Sequence, residues 1–508
     1  MPRLLPALAL LSAQAAYGQI TCDQLSQARF PRIEIVQATA VPAGPFNVPG
    51  GTATADMPAF CRVIALTGSS TPPEVRFELW LPVRWNSKLL SVGNGGLAGN
   101  ISYSAMVKPL QLGYATSSTD TGHINAGSGD ATWATGHFER IVNFADRATH
   151  LMAEAGKVVI AAHYGSNPAH SYFNGCSQGG HEAFIEAQRY PGDYDGIIAG
   201  DPANYWTHHY VGGHLWPALA TEGDAYIPAA KVPLLAEAVN AACDELDGVK
   251  DGVLSDPRRC RFDPATLLCK GPDALTCLTA PQVSAVNKIW DGLTTKDGRR
   301  IWPGLVPGGE AGPGGWSNWI TGAAPGKSGH LNLGLPFFRY LLFDNPDWDY
   351  RTFRLEPTDG FDSDIDYLDS KLGALFNAID PDLTAFKARG GKLIHYHGWS
   401  DPDITPLNSI DYYESLVAKM GPDSPAFYRL FMVPGMQHCS GGPGATSFDM
   451  IEPLDRWVTQ SAAPESILAL KVVNGAVVRT RPLCPYPQEA RWKGAGSTDD
   501  AANFSCAK

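Results

Sequence analysis

The chain has 508 residues, of which 44 % are hydrophobic and 18 % charged, and its formal net charge is −12. Length and composition describe a globular protein with room for one large domain carrying an insertion, or for several domains, and exclude a disordered or fibrous chain. The acidic balance argues against nucleic acid or an anionic membrane as a partner, so neither is expected.

Residues 1–18 read as a secretory leader. Arg3 opens it, residues 4–11 are a short apolar run, and Ala16-Tyr17-Gly18 offers a small-x-small cleavage site. The run is too short to span a bilayer, so the mature chain is expected to begin near Gln19 and to be secreted, into the periplasm if the host is a bacterium. Ten cysteines suit that compartment. Cys243 and Cys260, Cys269 and Cys277, and Cys484 and Cys506 are close in sequence, and Cys22 and Cys61 bracket the N-terminal segment, although sequence alone allows many pairings. Cys176 and Cys439 are left over.

Alternation of Val75, Phe77, Leu79 and Leu81 predicts a strand over 74–81. A second strand over 88–92 runs into Gly93-Asn94-Gly95-Gly96, a loop built for close backbone approach. A third is expected over 112–116, leading to Asp120-Thr121-Gly122-His123. Ile141, Phe144, Ala148, Leu151, Met152 and Ala155 fall near helical spacing and predict one long helix over 139–163. Residues 171–174 form the next strand, a helix-forming run covers 181–189, and 196–199 is a brief apolar strand. Strands alternating with helices across glycine-rich loops predict an α/β fold whose parallel sheet is covered on both faces.

Residues 205–370 break this rhythm. They hold four cysteines, much of the Gly and Pro, and Trp206, Trp216, Trp290, Trp302, Trp316, Trp319 and Trp348, and they read as an inserted lid domain. The insertion divides a catalytic domain into 19–204 and 371–508. Beyond it come a helix over 383–389, a strand over 392–396 and a strand over 428–433.

Between the strand at 171–174 and the helix that follows lies Gly175-Cys176-Ser177-Gln178-Gly179, a Gly-x-Ser-x-Gly pentapeptide with the layout of a nucleophile elbow. Asp401 and His438 follow the last two strands. The order Ser177, Asp401, His438 is the one used by α/β-hydrolases. His438 would take the Ser177 proton, Asp401 would hold the imidazole, and the N–H groups of Gln178 and of the loop at Gly95-Gly96 would receive the oxyanion. Asp403 is a rival for the acid, and His123, His181, His395 and His397 for the base.

Cys176-Ser177, Asp401 and His438-Cys439 resemble the CS-D-HC motif of the tannase and feruloyl esterase family. Gly93-Asn94-Gly95-Gly96, 118–123, Gly175-Cys176-Ser177-Gln178-Gly179-Gly180 and Tyr396-His397-Gly398-Trp399-Ser400-Asp401 are similar as well. The resemblance covers nearly the whole mature chain. It implies an α/β-hydrolase fold with a large inserted lid, hydrolysis of esters of aromatic acids, and disulfides Cys22–Cys61, Cys176–Cys439, Cys243–Cys260, Cys269–Cys277 and Cys484–Cys506. It also implies a structural Ca²⁺ in the lid, held by Asp244, Asp247 and Asp251 with the carbonyls of Val249 and Val253. No organic cofactor is expected.

The substrate is expected to be a small aromatic-acid ester, one joined to a plant polymer included. Feruloyl esters lead, galloyl esters come second, and mono-hydroxyethyl terephthalate is a further option, for whose free carboxylate Lys327, His330 and Arg339 are possible lid cations. A secreted binding protein without activity and an acyltransferase working through the same acyl-enzyme are the competing functions.

Overall fold

A computed structural model of the chain describes residues 19–508 apart from 52–53, 69–74, 126, 359 and 361. The expected leader and Glu74 lie outside the described residues.

Nine strands form the central sheet: β1 (Ile33–Val41), β2 (Phe60–Thr67), β3 (Val75–Pro82), β4 (Lys88–Val92), β5 (Ala115–Thr119), β6 (His170–Cys176), β7 (Gly196–Gly200), β8 (Lys392–Gly398) and β9 (Tyr428–Val433). Their spatial order is β1-β2-β3-β5-β4-β6-β7-β8-β9. The pairs β1/β2, β2/β3 and β3/β5 are antiparallel, and all pairs from β5 to β9 are parallel.

The parallel strands are covered on both faces: β7 is apolar throughout, and β5, Ala-Thr-Ser-Ser-Thr, is buried along its whole length although polar. Side chains alternate across the sheet, so neighbours in sequence enter different cores. Tyr172, Ile198, Ile394 and Phe431 pack on one face with Leu454 and Trp457 of the helix Ile451–Gln460. Phe173, Ile197, Leu393 and Leu430 pack on the other, with Phe184 of the helix Gln178–Arg189 and Ile410 and Leu416 of the helix Pro406–Met420. Each such side chain contributes ~1.5–3 kcal/mol relative to exposure.

Two expected elements differ. Leu112 caps a helix over Tyr103–Gln111, Gly113 turns at φ 84°, and the strand begins only at Ala115. The left-handed glycine is the helix stop, and it pushes the strand three residues on. The expected long helix is present without interruption over 138–164, but it carries a π-helical stretch, Asn143–Arg147, between the α-helical Phe138–Val142 and Ala148–Tyr164. Asn143 fits into the space left by Gly122, where a Cβ would come within 2.5 Å of its amide nitrogen.

The chain leaves the sheet after β7 and returns at β8, and these two strands are paired neighbours, so the intervening residues are an insertion. One of its cores collects Ile227, Leu235, Val239, Leu278, Val286, Ile289, Trp316 and Ile320. Another joins Trp206, Tyr210, Trp302, Phe337 and Phe376 to Leu97, Trp133 and Phe144 of the preceding segment, and this apolar contact docks the insertion over the sheet's C-terminal edge. Trp206, Trp302 and Trp316 are therefore core residues.

Candidate active site

The site is assembled from loops at the C-terminal ends of the parallel strands, where an open α/β sheet leaves its crevice. Cys176 is the last residue of β6, and Ser177 follows at φ 64°, ψ −119°, a strained conformation for a residue with a side chain, immediately before the helix Gln178–Arg189. The turn depends on missing side chains. A Cβ on Gly175 would lie 2.3 Å from the Gly179 carbonyl oxygen, and one on Gly180 would lie 2.4 Å from the Gly200 oxygen. Helix formation begins at Gln178, three residues before the expected start.

His438, in the loop after β9, meets Ser177 although 261 positions separate them. The Ser177 hydroxyl donates to His438 Nε2 (2.9 Å), and His438 Nδ1–H donates to Asp401 Oδ2 (2.8 Å). Asp401 is fully buried, and its other oxygen accepts the amides of Asp403 (2.8 Å) and Ile404 (3.0 Å). Burial alone would raise its pKa, but His438 and His397 hold it well below the usual carboxylate range. Burial alone would lower the His438 pKa, but Asp401, Asp403 and Asp201 outweigh it and hold the imidazole above its ordinary value.

The rivals have other partners. Asp403 stands beyond the opposite ring nitrogen, with Oδ2 3.5 Å from His438 Nε2. His395 is enclosed between Tyr428 and Ser409. His397 Nε2–H donates to the Ile404 carbonyl (2.9 Å), and its ring lies between Asp201 and Asp401. His181 donates to the Phe376 carbonyl (2.6 Å) and His123 to the Leu97 carbonyl (3.0 Å), and burial lowers both pKa values to about 4.

Gln178 is the first residue of its helix, so its amide has no acceptor within the helix. The glycine-rich loop lies against the elbow: a Cβ on Gly93 would be 2.6 Å from Gly179 Cα. The helix clamps the Asn94 peptide from both sides, with Gly179 N–H donating to the Asn94 carbonyl (2.9 Å) and buried Glu182 accepting the Asn94 amide (3.1 Å). The amides of Gly93, Leu97 and Ala98 are taken by Asn174, Ser128 and Gly95. Within the loop this leaves the N–H groups of Gly95 and Gly96 as candidates for the second oxyanion donor.

All five disulfides implied by the resemblance are present. Cys176–Cys439, with Cα atoms 6.0 Å apart, joins the residue before Ser177 to the residue after His438. Sequence reading missed the buried Asp201 beside this bridge. It accepts the amides of Gly398 (2.7 Å) and Cys439 (2.7 Å), and so ties together the loops after β7, β8 and β9. A signal was available: Asp201 is the first residue after a strand, as Ser177 is. The insertion contributes half-buried Trp319, whose ring stands edge-on to His438 with centroids 5.5 Å apart.

Of the three possible cations, His330 is unsuitable, because burial lowers its pKa to about 3 and its Nε2–H is spent on the Pro402 carbonyl. Lys327 and Arg339 line a cavity of about 820 Å³ with Asn318 and Asn332. In the acidic loop, Asp247, Val249, Asp251 and Val253 wall a cavity of about 20 Å³ together with Arg479 and Arg481. Asp251 Oδ1 is buried there without a partner, an open acceptor for a small cation, while its Oδ2 is paired with Arg479 (3.2 Å) and Arg481 (2.5 Å). Asp244 behaves differently, since its carboxylate accepts the amides of Asp251, Gly252 and Val253 and shapes the loop.

The family profile described as tannase and feruloyl esterase matches residues 61–507. An uncharacterized esterase of Xanthomonas campestris pv. campestris is 41 % identical, over 99 % of this chain and 94 % of its own. A mono(2-hydroxyethyl) terephthalate hydrolase of Piscinibacter sakaiensis is 34 % identical over 96 % of this chain and 92 % of its own. Among solved structures, feruloyl esterase B of Aspergillus oryzae superposes with a TM-score of 0.86 at 27 % identity, covering 96 % of this chain and 99 % of its own.

Proposed function

The chain belongs to the tannase and feruloyl esterase family of carboxylic ester hydrolases, and from that premise we propose that it cleaves esters of phenolic acids through a Ser177 acyl-enzyme, with feruloyl esters preferred. The observation that carries the reaction is the unbroken hydrogen-bond chain from Ser177 through His438 to Asp401, at 2.9 and 2.8 Å, and the preference for feruloyl esters rests on the likeness to feruloyl esterase B.

A serine hydroxyl is a weak nucleophile until a base takes its proton. His438 Nε2 accepts that proton as Oγ bonds to the ester carbonyl carbon, and Asp401 stabilises the imidazolium from the Nδ1 side. The oxyanion is received by the Gln178 amide and by an amide at Gly95 or Gly96. The intermediate collapses, the alcohol leaves with the proton from Nε2, and water repeats the sequence to free the acid. Trp319 offers an aromatic wall beside His438 for the acid's ring.

Ca²⁺ is proposed for the loop at Asp247 and Asp251 with the carbonyls of Val249 and Val253. It would neutralise carboxylates that the fold holds together and would take no part in bond cleavage. Five disulfides support an oxidising compartment and, with the leader-like N-terminus, export. No described helix is long and apolar enough to cross a membrane.

The test is a comparison of kcat/KM for methyl ferulate, methyl gallate and mono(2-hydroxyethyl) terephthalate. Methyl ferulate is expected to be cleaved fastest. Preference for either of the others contradicts the substrate assignment, and inertness toward all three contradicts the reaction.

A further inference from the structure

We propose that Asp403 orients the water that releases the acid from the acyl-enzyme, and so favours hydrolysis over transfer to alcohols; this rests on the serine esterase reading above. Asp403 is 2 % exposed and held at several points. Its backbone amide donates to Asp401, the residue that holds the other side of the same imidazole. Its Oδ1 accepts from His214 Nε2–H at 2.9 Å. Its Oδ2 is left facing His438 Nε2 at 3.5 Å, on the side where the leaving oxygen must receive its proton.

His214 is a dependable donor. Burial lowers its pKa to about 3, so the ring stays neutral, and the single proton lies on the nitrogen that faces a carboxylate. Its other nitrogen, Nδ1, is buried without a partner. The π-helical segment His209–Leu215 presents His214 from the insertion to the loop after β8, so the two chain segments form this pair together. Turns of this kind occur often at functional sites.

The chemistry separates water from alcohols. By microscopic reversibility the attacking water enters where the alcohol left, in hydrogen-bond reach of His438 Nε2. Its oxygen bonds to the acyl carbon while one proton passes to Nε2. Its second O–H donates to Asp403 Oδ2 and stays with the acid product. Collapse then breaks the bond between the acyl carbon and Ser177 Oγ, and Oγ takes the proton back from Nε2. Asp403 gains and loses no proton. An incoming alcohol carries carbon where water carries its second hydrogen, so its attacking oxygen receives no such help.

The experiment uses the full mature chain and 4-nitrophenyl ferulate with methanol added as a competing acceptor. The ratio of methyl ferulate to ferulic acid reports partition of one common acyl-enzyme, a quantity that a loss of folded protein leaves unchanged. In Asp403→Asn the amide oxygen should turn to His214 Nε2–H and leave the NH₂ toward His438, a donor where an acceptor is needed. The expected result is an ester-to-acid ratio raised about tenfold or more, with a 4-nitrophenol burst followed by slowed acid release. His214→Phe, which frees Asp403 from its anchor, should shift the ratio in the same direction by less, and serves if Asp403→Asn does not fold. A normal burst with an unchanged ratio in these variants overturns the role of Asp403 alone. A wild-type chain that releases no 4-nitrophenol overturns the esterase reading and this inference with it.

Discussion

Single atoms govern the elbow. A methyl group on Gly175 would lie 2.3 Å from a backbone oxygen that has no freedom to move, because Gly179 itself is packed against Asn94. Gly175→Ala should therefore cost activity and stability together, by about 1–3 kcal/mol in a urea melt, and an unchanged midpoint would contradict the packing described. His438 makes a prediction about pH. Its imidazole is held above the ordinary value of about 6.5 by three carboxylates, so the basic form that accepts the Ser177 proton is lost as pH falls through that raised pKa. The acidic limb of kcat/KM should lie above pH 6.5 and move down when Asp403 is replaced by Asn, which removes one of those charges. A limb that stays in place would mean that another group titrates. Ser177, Asp401 and His438 were visible in the sequence because each follows a strand, and Asp401 was chosen over Asp403 there; what took the fold was where the rival Asp403 stands. Two residues apart in one turn, the two aspartates reach opposite nitrogens of the same ring.

At the scale of elements, the Cys176–Cys439 bridge closes a loop of 263 residues between the strand that carries the nucleophile and the strand that leads to the base. In the chain-entropy account a loop of that length is worth about 5.6 kcal/mol. Replacing both cysteines with serine should lower the melting temperature and reduce kcat more than it raises KM, since the bridge fixes the distance between Ser177 and His438. Equal thermal stability and kcat in the double variant would contradict this. Among the parallel strands, β7 and the start of β8 were legible as apolar runs, Ile197-Ile198 and Leu393-Ile394, whereas β5, Ala-Thr-Ser-Ser-Thr, is buried but polar and its bounds were misplaced. Of the antiparallel strands β3 was legible from its alternation, and β1 and β2 were not: β1 mixes Ile, Ala, Thr and Val with Glu34 and Gln37 and has no buried side chain, and alternation is faint where neither face is enclosed. The π-turn at 143–147 escaped the helical pattern for a different reason. It depends on Gly122, a residue far from it in sequence, giving Asn143 room.

For the whole molecule, the insertion belongs to the site as well as covering it. It supplies Trp319 beside His438 and His214 behind Asp403, and its acidic loop is joined through Asp251 to Arg479 and Arg481 of Ala476–Leu483, a strand paired antiparallel with Ile467–Val473. If the proposed Ca²⁺ is bound, a chelator should lower the melting temperature by several degrees and leave initial rates at low temperature nearly unchanged; an unchanged melting temperature would contradict the site, and immediate loss of turnover would place the ion in the chemistry. The α/β frame was readable from residue order, and the disulfide framework followed from the resemblance to the family. The contacts of the insertion were not, because they join segments through side-chain packing that no local pattern records. The central claim is that Ser177 carries the acyl group, and it is tested most directly by quenching the enzyme with methyl ferulate in the first turnovers and mapping peptide masses. A feruloyl addition on the peptide containing Ser177, absent from Ser177→Ala together with all but about one part in 10³ or less of the activity, is the expected result. Continued turnover by Ser177→Ala, or an acyl group on another residue, would contradict it.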